Sequence, residues 1–169
     1  MGWNIAQEAF MEKYSFISQL KLRASWGELG NQEIGYYPFA QYIGLGNNYV
    51  WGDNKTQGVA ISSLANPDIK WETTATTDVG IDAAFLNNKI TLTADYFYKK
   101  TSDILLQLPI PGIVGISTEP YVNAASVKNE GWEFALGYND QWGDWTFGAN
   151  VNFSKVKNEI LDLHGKDSW

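Results

Sequence analysis

The chain contains no cysteine and a single histidine, and each scarcity removes a class of chemistry. Without thiols there is no disulfide framework and no thiolate metal site, a composition that fits an exported bacterial protein. A histidine-based triad or zinc centre would rest wholly on His164, which sits in the loop-like run Asp162-Leu163-His164-Gly165 and reads as a solvated residue. No run of about 18 apolar residues occurs, so no membrane-spanning helix is encoded. The richest stretch, Ile104 to Ile116, is broken by Gln107, Pro109 and Pro111. Charge is thin as well: charged residues make up 18% of the chain and the net charge is -7. With no Lys/Arg cluster, binding of nucleic acid through its phosphates is excluded.

What the chain does have is alternation. From Glu72 to Phe85 the odd positions read Thr73, Ala75, Thr77, Val79, Ile81, Ala83, Phe85, against Glu72, Thr74, Thr76, Asp78, Gly80, Asp82, Ala84. After Asn87-Asn88 the parity reverses: Ile90, Leu92, Ala94, Tyr96 and Tyr98 oppose Thr91, Thr93, Asp95 and Lys99. A period of two means strands with one apolar face. Asn-Asn favours positive φ at both centres of a tight type I′ hairpin. That turn pairs Leu86 with Lys89, Phe85 with Ile90, Ile81 with Ala94 and Val79 with Tyr96, while Asp82 meets Thr93 and Gly80 meets Asp95. A slip of one residue would turn every side chain to the wrong face.

The same rhythm recurs. Residues 1–5 read as the tail of a strand, Ala6 to Ser18 as a connection with a helical turn, and Leu20 to Trp26 as a strand. Gly27 to Ile69 is a long loop with a short strand near Tyr49-Val50-Trp51, and its length points to function. The strand from Ile90 extends to Leu108, where Pro109 and Pro111 end it. Residues 109–123 form a second long connection. Asn129 to Tyr138 and Trp145 to Ser154 then form a hairpin around Asp140–Gly143, pairing Tyr138 with Trp145.

Short turns thus alternate with long loops, and aromatics gather near strand ends (Trp26, Trp71, Tyr96 to Tyr98, Tyr138, Trp142, Trp145), as in a lipid-facing girdle. The expected fold is all-β: an antiparallel up-and-down transmembrane β-barrel segment of about five strands. Met1-Gly2-Trp3-Asn4-Ile5 has neither a basic start nor an apolar core, so it is no signal peptide. A barrel of this kind must be exported, and the chain is expected to be an internal piece of something longer.

Several blocks carry a family resemblance. They are Leu20-Lys21-Leu22-Arg23-Ala24-Ser25-Trp26-Gly27 with Gly30-Asn31-Gln32, then Asn66-Pro67-Asp68-Ile69-Lys70-Trp71-Glu72, Asp78-Val79-Gly80-Ile81-Asp82, Thr101-Ser102-Asp103-Ile104-Leu105, and Asn123-Ala124-Ala125-Ser126-Val127-Lys128-Asn129-Glu130-Gly131-Trp132-Glu133. In wording and order the chain resembles the barrel of SusC/RagA-type TonB-dependent transporters, nearly end to end. The resemblance implies an importer of about 22 strands in the outer membrane of a Gram-negative, Bacteroidetes-like bacterium. It implies a luminal plug, a TonB box, a SusD-like surface lipoprotein as lid, and oligosaccharide or peptide cargo. Residues 1–169 would then be one partial barrel domain, with plug, TonB box and closing strand outside it.

Residues with chemical potential have two readings each. Arg23, Asp78, Asp82, Asp95 and Glu133 fall on the polar faces and are expected to line a watery lumen. Two of these acids could alternatively be a glycosidase pair. Asp53, Asn54 and Asp68 have calcium-type side chains, but their spacing fits ordinary turns. Gly44-Leu45-Gly46 lacks the setting of a phosphate loop. Tyr36, Tyr37, Tyr49 and Trp51 are the candidates for ligand contact, because exposed rings on a scaffolded loop can stack on sugars or side chains. Alternatively they pack the loop against itself. No catalytic residue, metal or cofactor is expected. The rival architecture is a soluble β-sandwich, such as a carbohydrate-binding module, which would bury Trp132, Phe134, Leu136, Phe147 and Val151 under a second sheet.

Overall fold

The computed structural model describes residues 1–116 and 118–163; His164 lies outside them. In chain order the strands are β1 (Gly2–Asn4), β2 (Ile17–Asn31), β3 (Ile43–Leu45), β4 (Tyr49–Trp51), β5 (Asn54–Thr56), β6 (Val59–Ile61), β7 (Glu72–Phe85), β8 (Ile90–Gln107), β9 (Tyr121–Trp142) and β10 (Trp145–Asp162). Single 3-10 turns occur at Ile5–Gln7, Ala9–Met11 and Gly112–Val114. Six strands form one antiparallel sheet in the order β1-β2-β7-β8-β9-β10, while β3 pairs β6 and β4 pairs β5 in two small hairpins. Strand β1 pairs β2 through Gly2↔Arg23, Trp3↔Leu22 and Asn4↔Lys21.

The chain divides into two compact units. The first comprises Met1–Leu29, Thr74–Lys100 and Val127–Ile160, and holds both tight turns. The second comprises Gly30–Thr73 and Thr101–Ser126 with the start of the C-terminal segment at Leu161, and holds the two long connections.

In the first unit the Asn87-Asn88 turn forms as expected. Lys89 N donates to Leu86 O over 3.4 Å, and both asparagines have positive φ, 57° and 65°. Leu86 is also left-handed (φ 53°), a strained choice for leucine. Its N–H is drawn aside to donate to Phe16 O at 2.8 Å.

The second hairpin corrects the sequence reading. Its turn is Gly143-Asp144, with Gly143 at φ 61°, so Trp142 rather than Tyr138 faces Trp145. The Phe134 and Phe153 rings lie 6.4 Å apart, and Asn158 donates to Asn129 Oδ1 at 2.7 Å, both consistent with the displaced register. The displacement is an even number of residues, so the faces are unchanged. Asp140 looked like loop chemistry, yet Lys89 Nζ sits 2.6 Å from its Oδ1 and Tyr138 OH donates to its Oδ2 at 3.1 Å. With those partners the strand runs on.

Among the described residues the buried hydrophobics are only Ala83, Ala84, Ala124 and Ala125. Val79, Trp132, Phe134, Leu136, Phe147, Val151 and Phe153 are exposed. In a sandwich, a second sheet about 10 Å away would cover such a face. Here the rings make contacts within their own sheet: Tyr96 with Trp132 at 4.9 Å, and Trp132 with Phe134 at 6.1 Å.

Candidate functional site

On the polar face of the first unit, Arg23 of β2 grips Asp82 of β7 with both arms of its guanidinium, Nε to Oδ2 at 2.7 Å and Nη2 to Oδ1 at 3.1 Å. The same Nη2 donates to Asp95 Oδ1 of β8 at 2.8 Å. Thr93 Oγ1 adds a bond to Asp82 Oδ1 at 3.3 Å. Strand β7 offers Gly80 at the crossing point, where a Cβ would overlap Asp95 Oδ1. Three of the five expected lumen residues therefore meet. Glu133 is exposed and shares a shallow 420 Å³ cleft with Thr93, Asp95 and Asn152, and Asp78 stands outside the cluster. Two carboxylates accept from one guanidinium and fix its position on the polar face.

In the second unit an open cleft of 770 Å³ is lined by Tyr36, Tyr37, Phe39 and Trp71, with Glu33 and Lys70 at its polar edge. Tyr36 is 94% exposed, and Tyr37 packs edge-on against Phe39 at 5.9 Å. The Tyr42 hydroxyl donates to the carbonyls of Tyr36 and Tyr37 at 3.3 and 3.4 Å, tying the loop to itself. Tyr49 and Trp51 do not line this cleft. They form a T-shaped pair, 6.3 Å apart, on the β4–β5 hairpin.

Phe39 and Trp71 were missed as contact candidates; Trp71 was expected in a girdle. Its ring lies over Gly30, where a Cβ would stand 2.8 Å from Cε3. Its neighbours are clamped. Asn123 Oδ1 accepts from Lys70 N at 2.9 Å, and Asn123 Nδ2 donates to Lys70 O at 2.8 Å and to Asp103 O at 2.7 Å. Glu72 accepts from Asn31 Nδ2 at 3.0 Å and from Leu105 N at 2.9 Å. The signal was in the Asn66 to Glu72 block, whose side chains anchor the segment while the indole stays 59% exposed.

Asp53 occupies the β4–β5 turn and Asn54 opens β5, while Asn66 Oδ1 accepts from Asp68 N at 3.2 Å, all turn chemistry. Gly44 and Leu45 belong to β3 and Gly46 follows its end at φ 92°. Among the described residues no three His, Asp or Glu side chains gather where they could hold a metal ion. Exposed rings beside an open cleft can stack on flat ligand surfaces and exclude water.

Residues 12–167 match the profile of the family described as TonB dependent receptor-like, beta-barrel. The chain belongs to that family. It is 36% identical over 167 residues to TonB-dependent receptor P26 of Formosa agariphila, covering 98% of this chain and 17% of that protein. To TonB-dependent receptor SusC of Bacteroides thetaiotaomicron it is 33% identical over 172 residues, covering 99% of this chain and 17% of that one. It superposes on the structure of the RagAB peptide importer in the 'open-open' state with a TM-score of 0.82 and 31% identity, over 98% of this chain and 18% of the other. The chain thus spans about a sixth of the length of these TonB-dependent receptors. It is an all-β segment of an outer-membrane β-barrel, and its relatives are transporters and receptors rather than enzymes.

Proposed function

We propose that this segment is barrel wall and external loop of an importer that carries a nutrient, an oligosaccharide or a peptide, across the outer membrane. The observation that carries the reading is the uncovered apolar face: rings such as Trp132 and Phe134 lie on one side of a sheet that holds no large buried side chain among the described residues. Hydrocarbon suits that face, and water suits the opposite one, where Arg23, Asp82 and Asp95 pair. The cleft beneath Tyr36, Tyr37 and Trp71 contacts cargo, and Tyr49 and Trp51 offer a second aromatic edge. Asp78 and Glu133 keep the lumen wall polar.

A SusD-like lipoprotein would cover the external loops and TonB would energise passage, both through parts of the intact protein beyond this segment. The family likeness to SusC and RagAB supports these partners. The test is uptake by cells with and without the intact protein, fed defined peptide or oligosaccharide mixtures. Depletion of one class that requires the protein, and stops when the proton gradient is collapsed, is the expected result. Uptake that is indifferent to loss of the protein would refute the assignment.

A further inference from the structure

On the apolar face of the first unit, the character of the side chains changes along one line that crosses three strands. On β8 the outward series Ile90 to Tyr98 gives way to Lys100; on β9 Trp132 gives way to Glu130 and Lys128; on β10 Phe153 gives way to Lys155, Lys157 and Glu159. Four of these charges close into a ring. Lys128 Nζ lies 3.0 Å from Glu159 and 3.5 Å from Glu130, and Lys157 Nζ lies 3.1 Å from Glu159 and 3.9 Å from Glu130. The faces are secured by the opposite side, where Asn158 bonds Asn129 at 2.7 Å.

Length points the same way. From Trp145 to Phe153 a strand advances about 26 Å, or about 20 Å across a bilayer at a tilt of about 40°, close to the apolar band of about 25 Å in such barrels. All 18 residues of β10 would rise about 43 Å at that tilt, far more than the band requires. Charge on the lipid side is costly at mid-bilayer and nearly free at its edge.

Resting on the reading of the apolar face as lipid-facing, we propose that the hydrocarbon of the external leaflet ends between Trp132–Phe153 and the Lys128–Glu130–Lys157–Glu159 ring. Beyond it the wall stands in the phosphate-bearing headgroup layer. The ring is self-neutralised, and Lys100 and Lys155 have no carboxylate within ion-pair distance among the described residues, leaving two cations for lipid phosphate.

The test uses the intact protein, cysteine-free, in sealed outer-membrane vesicles. Val151→Cys and Lys157→Cys are chosen because both sites are exposed on the sheet. A membrane-impermeant maleimide should label position 157 readily and position 151 about tenfold or more slowly, since a thiolate is disfavoured in hydrocarbon. Slow labelling at both positions would overturn the boundary but leave the lipid-facing reading intact; fast labelling at both would overturn that reading itself. Separately, the Lys100→Gln/Lys155→Gln variant should lose any extra heat resistance that wild type shows in phosphatidylglycerol over phosphatidylcholine vesicles. Equal heat resistance of this variant and wild type in both lipids would overturn the phosphate contact.

Discussion

The Arg23 guanidinium reaches Asp95 by passing over Gly80, and the three residues belong to three successive strands, β2, β8 and β7. A side chain at position 80 would overlap Asp95 Oδ1 and come within 2.9 Å of Arg23 Nη2. The polar face therefore depends on a missing methyl group as much as on its charges.

Gly80→Ala should destabilise the intact barrel by about 1–3 kcal/mol, the usual range for overfilling a packed site. Thermal unfolding in detergent reads it. Adding Asp95→Ala removes the overlapped carboxylate and should recover part of the loss. If both variants unfold like wild type, the ion pair does not need that space.

The aromatic cleft gives a split among four rings. Trp71→Ala and Tyr36→Ala should each weaken cargo binding by about 0.5–1.5 kcal/mol, two- to tenfold, the range for an aromatic contact. Tyr49→Ala and Trp51→Ala, which lie outside the cleft, should have smaller effects. Titration of the intact protein with its cargo decides, and the reverse ranking would move the contact to the β4–β5 hairpin.

Asn123 replaces a strand's worth of backbone bonding at Lys70. Asn123→Asp keeps the acceptor for Lys70 N but loses both donated bonds, and Asn123→Ala loses all three. At about 0.5–1.5 kcal/mol per net bond, amide exchange at Lys70 and its neighbours should quicken most in the alanine variant. The effect should stay local. Unchanged exchange in both variants would show that the segment is held by its other contacts, such as Asn66 to Tyr121 O and Glu72 to Asn31 and Leu105.

Lys89, in the tight turn, is held above the usual lysine range by its hydrogen bond to Asp140, which outweighs the opposing cost of desolvation. A raised pKa in the folded state means the contribution is complete below about pH 10.4, the ordinary lysine value, and fades as pH climbs through the higher one. Wild type should lose heat resistance over that alkaline window more steeply than Lys89→Gln. Parallel pH profiles would show that the pair adds nothing to folding.

Local pattern told most of the strands. Glu72 to Phe85 and Ile90 to Leu108 were legible because alternation and the Asn87-Asn88 turn agree, and Thr93 bonding Asp82 at 3.3 Å matches the expected register. The β9–β10 turn was misplaced because Asp140 and Gln141 look like loop residues until Lys89, from another hairpin, supplies a partner. Strand β9 begins at Tyr121, earlier than expected, where Asn123 bonds sideways to Lys70 and Asp103. Phe97 was counted with Tyr96 and Tyr98 among the girdle aromatics, yet its ring lies on the polar face over Gly131, where a Cβ would stand 2.7 Å from Cζ.

Alternation is a property of neighbours along the chain, so the strands, their two faces, the tight Asn-Asn turn and the family wording could be read from order alone. Which distant residues touch is set by sheet order and register, and these couple positions dozens of residues apart. Only the folded chain brings Arg23 to both aspartates, seats Trp71 on Gly30 beside Tyr36, and closes four charges of β9 and β10 into a ring. Those contacts depend on a few ångströms of strand placement, to which a period of two is blind.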